Sequence, residues 1–132
     1  MAGPHAAQAD TIKRIPNPQE PVPALALPTA ALFFGSLVAW GVSSFLALSG
    51  LWPWPISTVI NGLAAFVLFT VAHEASHNTC SRLGWVNLWM GRIAIPFFGP
   101  GAGFQAFRFI HMQHHRFTNH EDGSDPDHYT QL

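Results

Sequence analysis

The chain has 132 residues, of which 10 % are charged and 48 % hydrophobic, with five tryptophans and a formal net charge of −1. An ordinary soluble domain carries about 25 % charged residues, so the composition argues against a water-soluble globule. The near balance of six basic and seven acidic residues excludes the electrostatic footprint of a nucleic-acid partner, and a lone Cys80, read as a structural thiol, excludes an intrachain disulfide framework.

Residues 1–27 are rich in proline and alanine and lack the basic start and apolar centre of a cleavable signal peptide. They read as a disordered cytoplasmic arm. Between Glu20 and Glu74 there is no Asp, Glu, Lys or Arg, and this window holds two stretches of membrane length. The first runs from Thr29 to Ser49. The second runs from Ile56 to Ala72 and continues through His73 to His77. About 20 residues at a rise of 1.5 Å cross the ~30 Å hydrocarbon core, so both are predicted to be spanning helices, the first acting as an uncleaved insertion signal.

Leu51-Trp52-Pro53-Trp54-Pro55 separates the spans. Its prolines are expected to break the helix and its indoles to sit at an interface, which makes a tight helical hairpin. Lys13 and Arg14 precede the first span, Arg82, Arg92, Arg108 and Arg116 follow the second, and the connection has no basic residue. Positive residues mark the cytoplasmic side, so both chain ends and the histidine clusters are placed there.

From Leu83 to Phe98 the chain is apolar and aromatic but is interrupted by Asn87, Gly91 and Arg92, and Pro96 precedes the turn-forming Gly99-Pro100-Gly101. With Trp85 and Trp89, this stretch fits an interfacial or re-entrant helix better than a third span. It would return the chain to the membrane face it left. A last helix is predicted over 104–115, with Phe104, Phe107, His111 and His114 in one stripe and Arg108 and His115 beside it. The fold class is therefore an all-α membrane protein: a transmembrane helical hairpin, an interfacial or re-entrant helix, then a histidine-bearing helix.

Histidines carry the chemistry. His73-Glu74-Ala75-Ser76-His77 and His111-Met112-Gln113-His114-His115 have the spacing that puts imidazoles on one helical face. Neutral imidazole binds iron, zinc, copper or nickel, so His73, His77, His111, His114 and His115 are the candidate metal ligands. The first motif also satisfies HExxH, in which two histidines hold zinc and the glutamate activates water. An intramembrane zinc metalloprotease is thus one reading, with Asp122, Asp125 or Asp127 as a third ligand. Catalytic zinc uses three protein ligands and an open water position, and five imidazoles exceed that need. A dinuclear centre would use them all.

The pair HxxxH and HxxHH, followed by Arg116-Phe117-Thr118-Asn119 and Asp125-Pro126-Asp127, resembles the membrane fatty acid desaturases over roughly Val71 to Tyr129. That resemblance implies two non-haem irons held by histidine boxes at the cytoplasmic membrane surface. It also implies an acyl-lipid substrate, molecular oxygen, and an external electron donor such as ferredoxin or a cytochrome b5-like protein. Carried over residue by residue, it makes the five histidines iron ligands and Glu74 a neighbour of the site instead of a base. The family's third box, another HxxHH, has no counterpart here, because His120 and His128 stand alone in a Gly/Asp/Pro loop. Residues 28–132 are accordingly read as the N-terminal part of a desaturase domain, an incomplete fragment of a larger fold that is inactive alone.

Imidazoles that hold a metal need acceptors for their second ring nitrogen, and Asn119, Asp125 and Asp127 are the candidates. Their alternative role is turn chemistry. Arg108 and Arg116 are read as topology signals in preference to anion ligands, and Phe97, Phe98, Phe104 and Phe107 as packing residues. The boxes do not separate desaturation from lipid or carotenoid hydroxylation or ketolation within the same superfamily. A non-enzymatic metal-binding membrane module would also retain both clusters.

Overall fold

The computed structural model of the chain describes residues 21–99, 101, 103–118 and 125–126. Those residues form four α-helices and no strand: α1 (Leu27–Leu48), α2 (Trp54–Ser76), α3 (Gly84–Ala94), which runs into a 3-10 turn (Ile95–Phe97), and α4 (Phe104–Phe117). The helical hairpin, the short third helix and the histidine-bearing helix expected from the sequence are all present. Part of the proline-rich arm (1–20), Asn119, Asp127, His120 and His128 lie outside the described residues.

Both long helices begin two residues earlier than expected. Each has a proline in its first turn, where the missing N–H has no intrahelical partner to lose. Pro28 and Pro55 therefore start the helices, and only Pro53, the residue before α2, acts as a boundary. Both helices close with the same device. At the end of α1, Gly50 adopts φ 70°, its N–H donates to the Ala47 carbonyl (3.1 Å), and the Leu51 N–H reaches back to Leu46 (2.9 Å). At the end of α2, Asn78 adopts φ 60°, its N–H donates to Ala75 (3.1 Å), and the Thr79 N–H donates to Glu74 (3.2 Å). These are Schellman closures, which satisfy the last carbonyls and turn the chain sharply.

α1 and α2, at 22 and 23 residues, are long and apolar enough to cross a membrane, and among the described residues they are the two helices that are. Phe34, Val38, Phe45, Val59, Leu63 and Phe66 project outward from them, an arrangement that suits lipid and would be costly in water. Between them, the Ser43 and Ser57 hydroxyls meet at 2.8 Å, Asn61 Nδ2 donates to Ser44 Oγ at 2.9 Å, and Trp52 Nε1 donates to the Ser43 carbonyl at 3.0 Å. Interhelical hydrogen bonds of this kind hold spans whose apolar faces gain little from leaving lipid.

α3 has eleven residues and so covers about 16 Å, too little for a crossing. It packs where the start of α1, the end of α2 and the start of α4 meet, around buried Phe33, Leu68, Val71, Ala72, Ala75, Cys80, Met90, Ala94, Ile95 and Phe104. Asn87, an interruption in the apolar pattern, is fully buried. Its Oδ1 accepts from the N–H groups of Cys80 (3.1 Å) and Ser81 (3.3 Å), and its Nδ2 donates to the carbonyls of Ser81 (2.6 Å) and Leu83 (3.2 Å). One amide thereby organises the turn that follows α2. The segment before α1 is tied to the same turn, because the Ala26 N–H donates to Cys80 (2.7 Å), the Arg82 N–H to Pro23 (2.9 Å) and the Ser81 hydroxyl to Ala24. Gly91, the second interruption, is the seat of Phe104: a Cβ there would clash with the edge of the Phe104 ring.

Candidate metal centre

The last turns of α2 and the body of α4 lie side by side and run in the same direction. Three rungs show it: Phe69 faces Phe107 with ring centroids 6.2 Å apart, His73 faces His111 at 4.5 Å, and His77 faces His115 at 4.8 Å. Each step is four residues on both helices, which is the spacing that keeps side chains on one face. An HxxxH motif on each helix, in register, is sufficient to bring four imidazoles together.

The ligand atoms of His73, His77, His111 and His115 all lie within 4.8 Å of one another. His111 Nε2 is 2.9 Å from His77 Nε2 and 3.0 Å from His115 Nε2. Two ring nitrogens at such a distance share at most one proton, so lone pairs converge on the space between the rings. The surroundings disfavour the charged form of two of these rings. The His111 pKa falls to about 4, first because burial penalises the charged ring and then because of the neighbouring histidines. His77 is also lowered, by burial and then by His73 and His115. Neutral imidazole is the form that binds metal, so the donor set fits an ion, and four nitrogens suit iron, zinc, copper or nickel over magnesium or calcium.

His114 takes a different position. Its Nδ1 lies 2.9 Å from Oδ1 of Asp125, whose side chain has no solvent exposure, and its ring centroid is 5.9 Å from that of His115. Of the expected stripe, Phe104 is buried in the core, Phe107 stacks in parallel on His111 at 5.7 Å, and His115, not His114, faces α2. The Glu74 carboxylate is engaged at the helix end, accepting from Thr79 Oγ1 at 2.6 Å, with its other oxygen 3.7 Å from His73 Nδ1. It is not among the converging ligand atoms.

An aromatic layer lies one turn back along both helices. Phe69 packs edge-on against Phe98 (5.3 Å) and Phe107 (6.2 Å), and Phe98 against Phe107 (6.1 Å). Phe69 was not singled out from the sequence, although a phenylalanine four residues before each box is a visible repetition. Asn87 and Gly91 were noticed only as breaks in an apolar run. Among the arginines, Arg116 lies over the Phe117 ring at 5.3 Å and Arg92 over Trp89 at 5.5 Å, contacts worth ~0.5–1 kcal/mol at exposed sites.

Comparison with known proteins points one way. A family model for fatty acid desaturases matches residues 49–131. An sn-1 oleoyl-lipid 12-desaturase of Arthrospira platensis is 38 % identical over 71 residues, which cover 51 % of this chain and 19 % of that protein. An sn-1 oleoyl-lipid 12-desaturase of a Picosynechococcus species is 31 % identical over 108 residues, covering 73 % of this chain and 30 % of that protein. An omega-3 fatty acid desaturase of Caenorhabditis elegans is 35 % identical over 74 residues, 55 % of this chain and 18 % of its own length. The chain thus spans less than a third of the length of these relatives. No solved structure matches it.

Proposed function

The chain belongs to the fatty acid desaturase family, and from that premise we propose that it serves the oxygen-dependent desaturation of fatty acyl chains of lipids at a histidine-ligated di-iron centre. The observation that carries the proposal is the convergence of His73 and His77 with His111 and His115 across two parallel helices. Four converging imidazoles without a carboxylate among them favour this reading over a zinc protease, which needs the HExxH glutamate beside its metal. When bound, iron supplies oxygen activation and one-electron chemistry, with electrons from an external donor such as a ferredoxin or a cytochrome b5-like protein.

The residues of the chain bind, orient and shield. The four imidazoles and His114 supply ligand nitrogens while adding no negative charge. Phe69, Phe98 and Phe107 form an apolar wall on the side of the histidines that faces the length of α2, which excludes water and suits the approach of a hydrocarbon chain. Asn87 and Gly91 set the geometry that brings α4 against α2. Asp125 stands behind His114, and Asn119 and Asp127 remain candidates for the same supporting role. The histidines lie on the cytoplasmic side, together with both chain ends, because the basic residues flank the hairpin there. Residues 28–132 are assigned to the N-terminal part of the catalytic domain. The third histidine box of the family has no counterpart in these 132 residues, so the activity is proposed for the protein that completes the ligand set.

The test is expression of the whole protein in cells with oleoyl lipids, the substrate named for the cyanobacterial relatives, followed by fatty-acid analysis. A new double bond that requires oxygen, with about two irons in the purified protein, is expected. His77→Ala or His111→Ala should abolish both while membrane insertion persists. Peptide cleavage with a single tightly held zinc would establish the protease instead.

A further inference from the structure

The pair of half-buried His114 and buried Asp125 lies outside the four-histidine group, and its chemistry deepens the metal-centre reading on which it rests. A carboxylate removed from water costs several kcal/mol unless it is paired, and the Asp125 side chain has no solvent exposure. One partner is His114 Nδ1 at 2.9 Å. A turn-forming aspartate characteristically bonds the backbone about two residues on, whereas this Oδ1 meets a ring eleven residues earlier in the chain. An ionised carboxylate only accepts hydrogen bonds, so a neutral His114 ring paired with it carries its proton on Nδ1 and its lone pair on Nε2.

We infer that Asp125 is a positioning residue, which holds His114 as the Nδ1–H tautomer and thereby commits Nε2 as a metal donor beside the four-histidine group. The arrangement has the chemistry of a carboxylate–histidine–metal relay, in which the carboxylate fixes the ring and raises the basicity of the coordinating nitrogen. It divides the labour within HxxHH. His111 and His115 complete the rungs with α2, and His114 turns to the opposite side of the helix stripe, where Asp125 sets its ring. Removal of such a partner lowers metal affinity by about 10- to 100-fold.

The experiment uses the full chain in lipid nanodiscs with Co2+ as the probe, read by its visible absorption, together with 15N NMR of the histidine rings in metal-free protein. In the wild type, the signal that disappears in His114→Gln should report an Nδ1–H ring, and Asp125→Asn should shift it toward the other tautomer. Asp125→Asn should also weaken Co2+ by about 10- to 100-fold, matching His114→Gln, with helix content retained by circular dichroism. Asp125→Glu, which keeps the charge, should recover part of the loss. If His114→Gln weakens Co2+ but Asp125→Asn has wild-type affinity, the positioning role is overturned while the metal centre stands. If both bind normally and His73→Ala does not, His114 is no ligand and the inference falls alone. If His73→Ala also binds normally, the metal-centre reading fails with it.

Discussion

At the scale of single residues, two rings of the cluster are held away from the charged form. In the folded chain the His111 pKa is lowered to about 4 by burial and by its histidine neighbours, from an ordinary value of 6.5, and His77 is lowered for the same reasons. In metal-free protein the unfolded chain therefore takes up protons first as pH falls. Between pH 6.5 and about 4 the unfolded state holds more protons than the folded one, so stability falls with falling pH across that window. Chemical denaturation of metal-free protein should show this decline, and His111→Gln should flatten part of it. An undiminished decline in that variant would assign the effect to other groups. The five histidines were legible in the sequence, but the roles of His114 and His115 were not. Helical periodicity at 100° per residue leaves both nearly symmetric about the stripe of Phe104, Phe107 and His111, and only the register against α2 selects His115.

At the scale of elements, the hairpin was legible because length and hydropathy are properties of a single helix, whereas the rungs between α2 and α4 depend on everything between them. Two residues that broke the apolar pattern lie between them: Asn87 holds the turn after α2, and Gly91 admits the Phe104 ring. A methyl group at Gly91 must displace that ring, which is 2 % exposed and therefore enclosed. Overpacking of this kind costs about 1–3 kcal/mol. Gly91→Ala should be destabilised by that amount in denaturant and should bind Co2+ more weakly, because α4 carries His111 and His115 with it. Gly91→Ala combined with Phe104→Leu, which removes the outer ring atoms, should recover both properties. Recovery of stability without metal binding would mean that Phe104 does more than fill space. The cap of α2 gives a second test at this scale. Asn78 has φ 60°, and a β-branched residue in that conformation is strained by about 1–2 kcal/mol. Asn78→Val should therefore loosen the turn beside His77, whereas Asn78→Gly should be tolerated.

At the scale of the whole molecule, the bonds from Ala26 and Pro23 to the turn after α2 place the start of the hairpin and the histidine end together, and the Trp52 turn lies at the far end of the two helices. If α1 and α2 both span, the two ends are on opposite sides of the membrane. On the orientation proposed above, the basic residues choose which side is which: Arg82, Arg92, Arg108 and Arg116 would set the histidines at the cytoplasmic face. A cysteine at Leu51 should react with an impermeant maleimide from outside the cell, and one at Val22 or Thr118 only after the membrane is opened. The native Cys80 should stay silent in these assays, because burial and then the charge of Glu74 push its thiol up to about 11 and thiolate is the reactive form. Labelling of Leu51→Cys and Thr118→Cys from the same side would mean that the hairpin does not cross. In that case the outward-facing phenylalanines and valines of both helices would need a protein partner in place of lipid. Reversed labelling would keep the fold and the shared histidine face but move the metal centre away from cytoplasmic electron donors, which would remove the ferredoxin or cytochrome b5-like supply from the proposed reaction.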